Sequence, residues 1–215
     1  MKIKWLGHAA FMITSSEGTR IINDPYTPNS ELNYRPISES ADLVTISHDH
    51  GDHANYATVK GNPQVIRKEG LGKYRGIEFK GIASYHDSVQ GKRIGKNIIF
   101  CFTVDGVRIC HLGDLGHELS EQQIAEIKPV DILCIPVGGN FTIDARQATA
   151  VAISLEPKII IPMHYRNDKC LIPVASVDEF LKNKQNVRRP SSSEIEFTKD
   201  SLPATAEIIV LQHAL

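Results

Sequence analysis

Asp42-Leu43-Val44-Thr45-Ile46-Ser47-His48-Asp49-His50-Gly51-Asp52-His53 is the stretch on which the fold turns. Its first half is a short, β-branched apolar run, the pattern of a buried strand. Its second half sets three histidines and two aspartates in the order H-x-H-x-D-H. Imidazole nitrogen and carboxylate oxygen are ligands for borderline divalent metals. Side chains alternate along an extended segment, so His48, His50 and Asp52 are expected on one side and His53 on the other. One loop then offers two nitrogens to one ion, and an oxygen plus a nitrogen to a second. Open α/β sheets place their sites at the carboxyl ends of strands, where this loop hangs. Tyr56-Ala57-Thr58-Val59, after Asn55, reads as a possible helix.

Outward from the cluster, the first half of the chain reads as strands and loops. Apolar runs predict strands over 2–6, 10–14, 19–22, 42–47, 63–66, 75–84, 97–105 and 107–112. Asp105-Gly106 between the last two is a hairpin signal. The second half alternates helix and strand. Ser120 with Gln123 three residues on is a capping box that opens a helix, and Pro129 closes it. Strands are expected over 131–136 and 158–163, helices over 144–155 and 174–184, and two final strands near 194–198 and 206–211. No repeat and no linker interrupts the pattern, and the loops at 27–40 and 86–96 are its longest breaks. A single α/β domain over residues 1–215 is the expected organisation.

Composition removes several classes of function. Of the 215 residues 41% are hydrophobic, which suits a globular core and not a disordered chain. The formal net charge is -1, so nothing favours nucleic acid or an anionic membrane. The opening Met1 to His8 has no signal-peptide pattern, and no apolar run reaches the ~18 residues of a membrane span. Cys101, Cys110, Cys134 and Cys170 show no C-x-x-C spacing, and all but Cys170 lie in apolar strand-like runs. Buried thiols in a reducing, cytoplasmic setting follow from that.

Six residues cannot close two metal sites, so further ligands are sought where apolar strands end. Asp24 before Pro25, His86 before Asp87-Ser88, Asp114 after Gly113 and His164 after Met163 occupy such ends. His111 competes with His86, but strand parity puts it on the Val107 and Ile109 face, where it should pack as a hydrogen-bonded structural residue. His86 instead ends an apolar stretch and opens a polar loop.

The order His48-His50-Asp52-His53, His86, Asp114, His164, with Asp24 early, resembles the metallo-β-lactamase superfamily over nearly the whole chain. Trp5-Leu6-Gly7-His8-Ala9-Ala10-Phe11, Pro136 to Asp144 and Ile161-Pro162-Met163-His164-Tyr165 resemble a small-hydrolase branch. That branch contains L-ascorbate-6-phosphate lactonase-like and N-acylphosphatidylethanolamine phospholipase D-like proteins. The resemblance implies a four-layer αβ/βα sandwich, two mixed sheets face to face with helices outside. It implies that His48, His50 and His86 hold one ion, that Asp52, His53 and His164 hold the other, and that Asp114 bridges them. A hydroxide shared by two metals would attack carbonyl carbon or phosphorus, with Asp52 both ligand and proton acceptor. Asp24 would stand behind the ligands and fix their loop. His8 either reaches the cleft from the first hairpin or is a hydrogen-bonded structural histidine.

A site of nitrogen and oxygen alone selects weakly among metals; zinc is the first expectation and manganese the second, with iron, nickel and cobalt open. A diiron oxygen-reducing site is disfavoured, because that subgroup carries a glutamate where His50 stands. The leading function is a hydrolase of a small ester, lactone or phosphodiester, with Tyr165, Arg166 and Asn140 lining the substrate side. The alternatives are a nuclease of RNA or DNA, which a net charge of -1 disfavours, and a metal-bound sensor. A small-molecule substrate, with no nucleic-acid partner and no membrane, is expected.

Overall fold

The computed structural model describes residues 1–215. Two mixed sheets face each other. The first contains β1 (Lys2–Gly7), β2 (Ala10–Thr14), β3 (Arg20–Asn23), β4 (Leu43–Thr45), β5 (Gln64–Ile66) and β13 (Glu194–Glu196), in the order β13-β1-β2-β3-β4-β5. The second contains β6 (Gly70–Tyr74), β7 (Ile77–Tyr85), β8 (Lys96–Val104), β9 (Val107–His111), β10 (Ile132–Pro136), β11 (Ile159–Met163), β12 (Val187–Arg188) and β14 (Glu207–Ile209). Its order is β12-β14-β11-β10-β9-β8-β7-β6. Helices α1 (Glu121–Ile127), α2 (Ala145–Leu155) and α3 (Val177–Leu181) complete the sandwich. No helix is long and apolar enough to cross a membrane.

Alternation explains the layering of the first sheet. Ile3, Trp5, Phe11, Ile13, Ile21 and Leu43 point into the main core of 44 buried residues shared with the second sheet. Leu6, Ala10, Ile22 and Val44 face the other way, into a smaller cluster with Tyr26, Leu32, Tyr34 and Ile37. The outer layer over this sheet is therefore largely the irregular segment 24–41, and the helix expected after Asn55 is a single 3-10 turn, Tyr56–Thr58. β10 and β11 are buried at every position, as parallel strands covered on both faces require.

Topology aims six strands at one edge. β1 and β3 each run antiparallel to β2, and β3 pairs parallel with β4, so these three share a direction. β7 and β9 each run antiparallel to β8, and β9, β10 and β11 are parallel. The carboxyl ends of β1, β3, β4, β7, β9 and β11 deliver His8, Asp24, Ser47-His48, His86, Asp114 and His164 respectively.

Three expectations are corrected. The predicted strand 75–84 is the second arm of a hairpin, because Arg75 and Gly76 both take positive φ (44° and 83°) and turn the chain back on the unpredicted β6. The helix expected over 174–184 shrinks to α3, because Val174 and Ala175 donate their N–H groups to Ile172 and Gly138 carbonyls, which holds them out of helix. The metal loop is bent, not extended: His53 N–H donates to the His50 carbonyl at 3.0 Å and closes a turn. That turn, rather than strand alternation, separates Asp52 and His53 from His48 and His50.

Candidate metal centre

Asp114 is the hub. Its Oδ2 lies 3.1 Å from His86 Nε2, 3.2 Å from His53 Nε2, 3.2 Å from His164 Nε2 and 3.9 Å from His48 Nε2. Around it the donor atoms fall into overlapping groups within 4.8 Å: His48, His50 and His86; His48, His53 and Asp114; His8, Asp52, His53 and His164. All seven residues expected as ligands are brought together, and His8 joins them.

The imidazoles are aimed by bonds behind them. Ser47 N–H and Oγ–H donate to the two oxygens of Asp24 at 2.7 and 2.6 Å. With its proton committed, Ser47 Oγ accepts from His48 Nδ1–H at 2.9 Å, which leaves the His48 Nε2 lone pair facing the hub. His53 Nδ1–H donates to Asp24 at 3.0 Å and presents Nε2 in the same way. Asp114 is fixed by Asn97, whose Oδ1 accepts the Asp114 N–H at 2.9 Å while its amide donates to Ser84 Oγ and the Leu112 carbonyl. Gly113 makes this approach possible: at φ 56°, an added Cβ would stand 2.4 Å from Asn97 Oδ1 and 2.6 Å from Ser47 Cβ. Asp87 accepts four backbone N–H groups, from Val89, Gly91, Arg93 and Ile94, and so shapes the loop after His86.

His111 is spent elsewhere. Its Nε2–H donates to the Ala9 carbonyl at 2.8 Å, and its Nδ1 accepts from Gly113 N–H at 3.2 Å. Of the residues expected on the substrate side, Tyr165 is only 5% exposed and packs its ring on Trp5 in the core, so it does not line the cleft. Arg166 is exposed, with its backbone tied to Ala175. Asn140 takes a positive φ and donates to the Pro173 carbonyl.

The electrostatics ask for positive charge. Burial pushes the Asp114 carboxyl up, but the surrounding His164 and His53 hold it well below the usual range. Asp24 and Asp52 are likewise held low against burial, chiefly by His53. Burial alone would lower His53, yet Asp114 and Asp52 drive it well above its ordinary value. Burial and the nearby His53 push His48 down to about 3, the neutral form that ligates. Buried atoms with no hydrogen-bond partner are His48 Nε2, His53 Nε2, Asp114 Oδ1 and Nδ1 of His8, His86 and His164; Asn23 Oδ1 alone lies outside the cluster. His48 Nε2, His53 Nε2 and Asp114 Oδ1 without partners, with Nε2 of His8, His86 and His164 turned to buried or half-buried carboxylates, are a donor set that fits divalent metal.

The centre opens on one side. A cavity of about 490 Å³ is lined by His48, Asp49 and His50 together with Arg67, Lys68 and Lys96. A larger cavity of about 580 Å³, beneath Leu71, Phe79 and Val130, contains none of the candidate ligands.

Comparison with known proteins decides the family. A Beta-lactamase superfamily domain model matches residues 2–164. A UPF0173 metal-dependent hydrolase of Carboxydothermus hydrogenoformans is 35% identical over 207 residues, 84% of this chain and 90% of that protein. The chain belongs to the metallo-beta-lactamase superfamily, in the UPF0173 metal-dependent hydrolase family. A Thermococcus onnurineus member is 32% identical over 77% of this chain and 84% of its own length. A solved structure of a proposed Zn-dependent hydrolase of this superfamily from Thermotoga maritima superposes with a TM-score of 0.82 at 37% identity, covering 98% of this chain and 97% of that one. The αβ sandwich of this superfamily is the fold of this chain, and its chemistry is metal-dependent hydrolysis.

Ser47, Asn97, Asp87 and the cations at the mouth escape the sequence pattern. Ser47 stood next to the cluster and was legible as a polar end to an apolar strand. Asn97 had a fainter signal, a lone amide at the start of an apolar run.

Proposed function

We propose that the chain is a cytoplasmic, dinuclear hydrolase of small anionic esters, lactones or phosphodiesters. The observation that carries the proposal is Asp114 Oδ2, 3.1–3.2 Å from Nε2 of His53, His86 and His164, the place of a carboxylate shared between two ions. His48, His50 and His86 would hold one ion, Asp52, His53 and His164 the other, and Asp114 both. Bound there, two divalent ions would supply a bridging hydroxide near neutral pH and polarise the substrate oxygen. Zinc is the first candidate and manganese the second, since the donor set carries no thiolate.

The chain's own residues do the rest. Asp24 and Ser47 keep His48 and His53 in the tautomers that leave Nε2 free. Asn97 holds the Asp114 backbone and so the position of the shared carboxylate. Asp52 is half-buried at the rim and takes the proton of the attacking water. Arg67 pairs with Asp49, while Lys68 and Lys96 have no acidic partner within ion-pair distance; against the one other carboxylate of the lining, Glu69, the mouth beside His50 keeps an excess of positive charge for a phosphate or carboxylate. The small-molecule reading draws support from the lactonase-like and phospholipase D-like stretches and from a net charge of -1. The cytoplasmic reading draws support from four unpaired cysteines.

The test is a panel of small phosphodiesters, lactones and thioesters, assayed before and after chelation, beside a structured RNA. Metal-dependent turnover of a small anionic substrate is expected. Efficient cutting of the RNA with no turnover of any small substrate would overturn the proposal.

A further inference from the structure

The chain has nine histidines, and they divide by what their ring nitrogens do. His111, His117 and His213 each have both nitrogens hydrogen-bonded: to Ala9 and Gly113, to Tyr85 and Glu118, and to Leu215 and Asp168. His86 and His164 have Nδ1 unpartnered and Nε2 at 3.1 and 3.2 Å from a carboxylate oxygen. His8 follows the second pattern. Its Nδ1 has no partner, and its Nε2 stands 3.2 Å from Asp52 Oδ2. The same oxygen lies 3.6 Å from His53 Nε2. Donors sharing one ion at ~2.0–2.1 Å bond length sit roughly 3 Å apart or a little more, so separations of 3.2 and 3.6 Å are those of donors around a common ion.

The backbone is built to put His8 there. β1 ends at Gly7, whose φ is 133° and where an added Cβ would meet the Tyr34 ring at 2.7 Å. His8 follows at φ 52°, a left-handed conformation that is unfavourable for a non-glycine residue and persists only where the surrounding structure holds it. Its carbonyl accepts from Trp5 Nε1–H at 3.0 Å and from His164 N–H at 3.3 Å, which ties its position to the ligand His164. Its ring is fully buried and lies 4.2 Å from that of His164 and 5.1 Å from that of His53.

We propose that His8 Nε2 is a further protein ligand of the ion held by Asp52, His53 and His164. This rests on the two-ion reading above. With Asp114, that ion has five protein donors, and the ion of His48, His50 and His86 has four. The buried ion is then the permanent one. The ion at the open cavity keeps the place where water and substrate exchange.

The experiment is nitrogen NMR of wild-type protein with ring-15N histidine, compared with and without zinc, and with metal counted in the same sample. On loading, one ring nitrogen each of His8, His48, His50, His53, His86 and His164 should move to metal-bound frequencies, six in all, with Nε2 the one that moves in His8, while His111, His117 and His213 stay. Two bound ions with only five such shifts, and His8 Nε2 keeping its N–H coupling, would overturn the proposal and leave the two-ion reading standing. A single bound ion would overturn both. In the second arm, His8→Ala should lose one ion to a chelator, its affinity weakened by more than the ~10–100-fold that removing a residue behind the ligands costs. A folded His8→Ala that holds both ions as tightly as wild type also overturns it.

Discussion

The two halves of the centre differ in burial more than in chemistry. His53, His164 and His8 are each 1% exposed or less, pressed around buried Asp114, with half-buried Asp52 at their edge. Across Asp114, His86 is buried and His48 half-buried, but His50 is exposed and borders a cavity with Arg67, Lys68 and Lys96. Low-dielectric surroundings strengthen every charge interaction on the closed side, while the open side trades that strength for access. One loop, His48 to His53, feeds both halves, and the turn between His50 and His53 is where closed and open part.

Breaking the closed half should have the largest effect. Asp52→Ala removes a candidate ligand and the candidate proton acceptor and should cut turnover by roughly 10³-fold. The strands that carry the loop are untouched, so the circular dichroism spectrum should be retained. Turnover near wild type in a folded Asp52→Ala would remove the mechanistic difference between the halves.

The open half is sharpened by a pair of variants. His86→Ala should lose one bound ion, because His86 Nε2 faces Asp114 and its Nδ1 serves nothing else. His111→Ala should keep both ions and lose stability instead, by about 1–3 kcal/mol, because it orphans the buried Ala9 carbonyl and Gly113 N–H. Metal analysis beside a thermal melt separates the two, and the reverse pattern would reassign the open site.

The smallest effect lies at the opposite end of the second sheet, where the comparison predicts no change in metal. Asp131 is 1% exposed, its carboxylate accepts Arg108 N–H at 2.9 Å, and Lys199 reaches it at 2.7 Å. Burial pushes this carboxyl up, but Lys199 and the Arg108 N–H hold it below its ordinary range. A depressed folded value stabilises above the unfolded pKa of ~3.9 and is lost as pH falls below it. Asp131→Asn should cost about 1 kcal/mol at pH 7, discounted because Lys199 is half exposed, and less as the pH falls below 4. Equal losses at pH 7 and pH 3, read by denaturant melts, would contradict the assignment.

Periodicity and strand ends made much of this architecture legible. β10 and β11 announced themselves as unbroken apolar runs, and the candidate ligands all stand where such runs stop. What escaped depended on partners distant in sequence. β6 is Gly-Leu-Gly-Lys-Tyr, with little intrinsic strand preference, and exists through its pairing with β7. The layer over the first sheet is apolar but aperiodic, so Tyr26, Leu32 and Tyr34 carried no helix or strand signal although they are buried. Tyr165 beside His164 looked like a substrate contact, yet its neighbour in space is Trp5. Asn97 lies 17 residues from Asp114, and no local pattern links them. His8 lies 44 residues from Asp52, and only the folded sheet shows which carboxylate it meets.

Sharing of the Asp114 carboxylate between two ions in unlike surroundings, as proposed, is read from the metal-to-protein ratio of zinc-reconstituted wild-type protein after dialysis, followed through a chelator titration. Two ions per chain are predicted, leaving in two steps with the open-side ion first. A ratio that never exceeds one ion per chain after reconstitution would contradict the account.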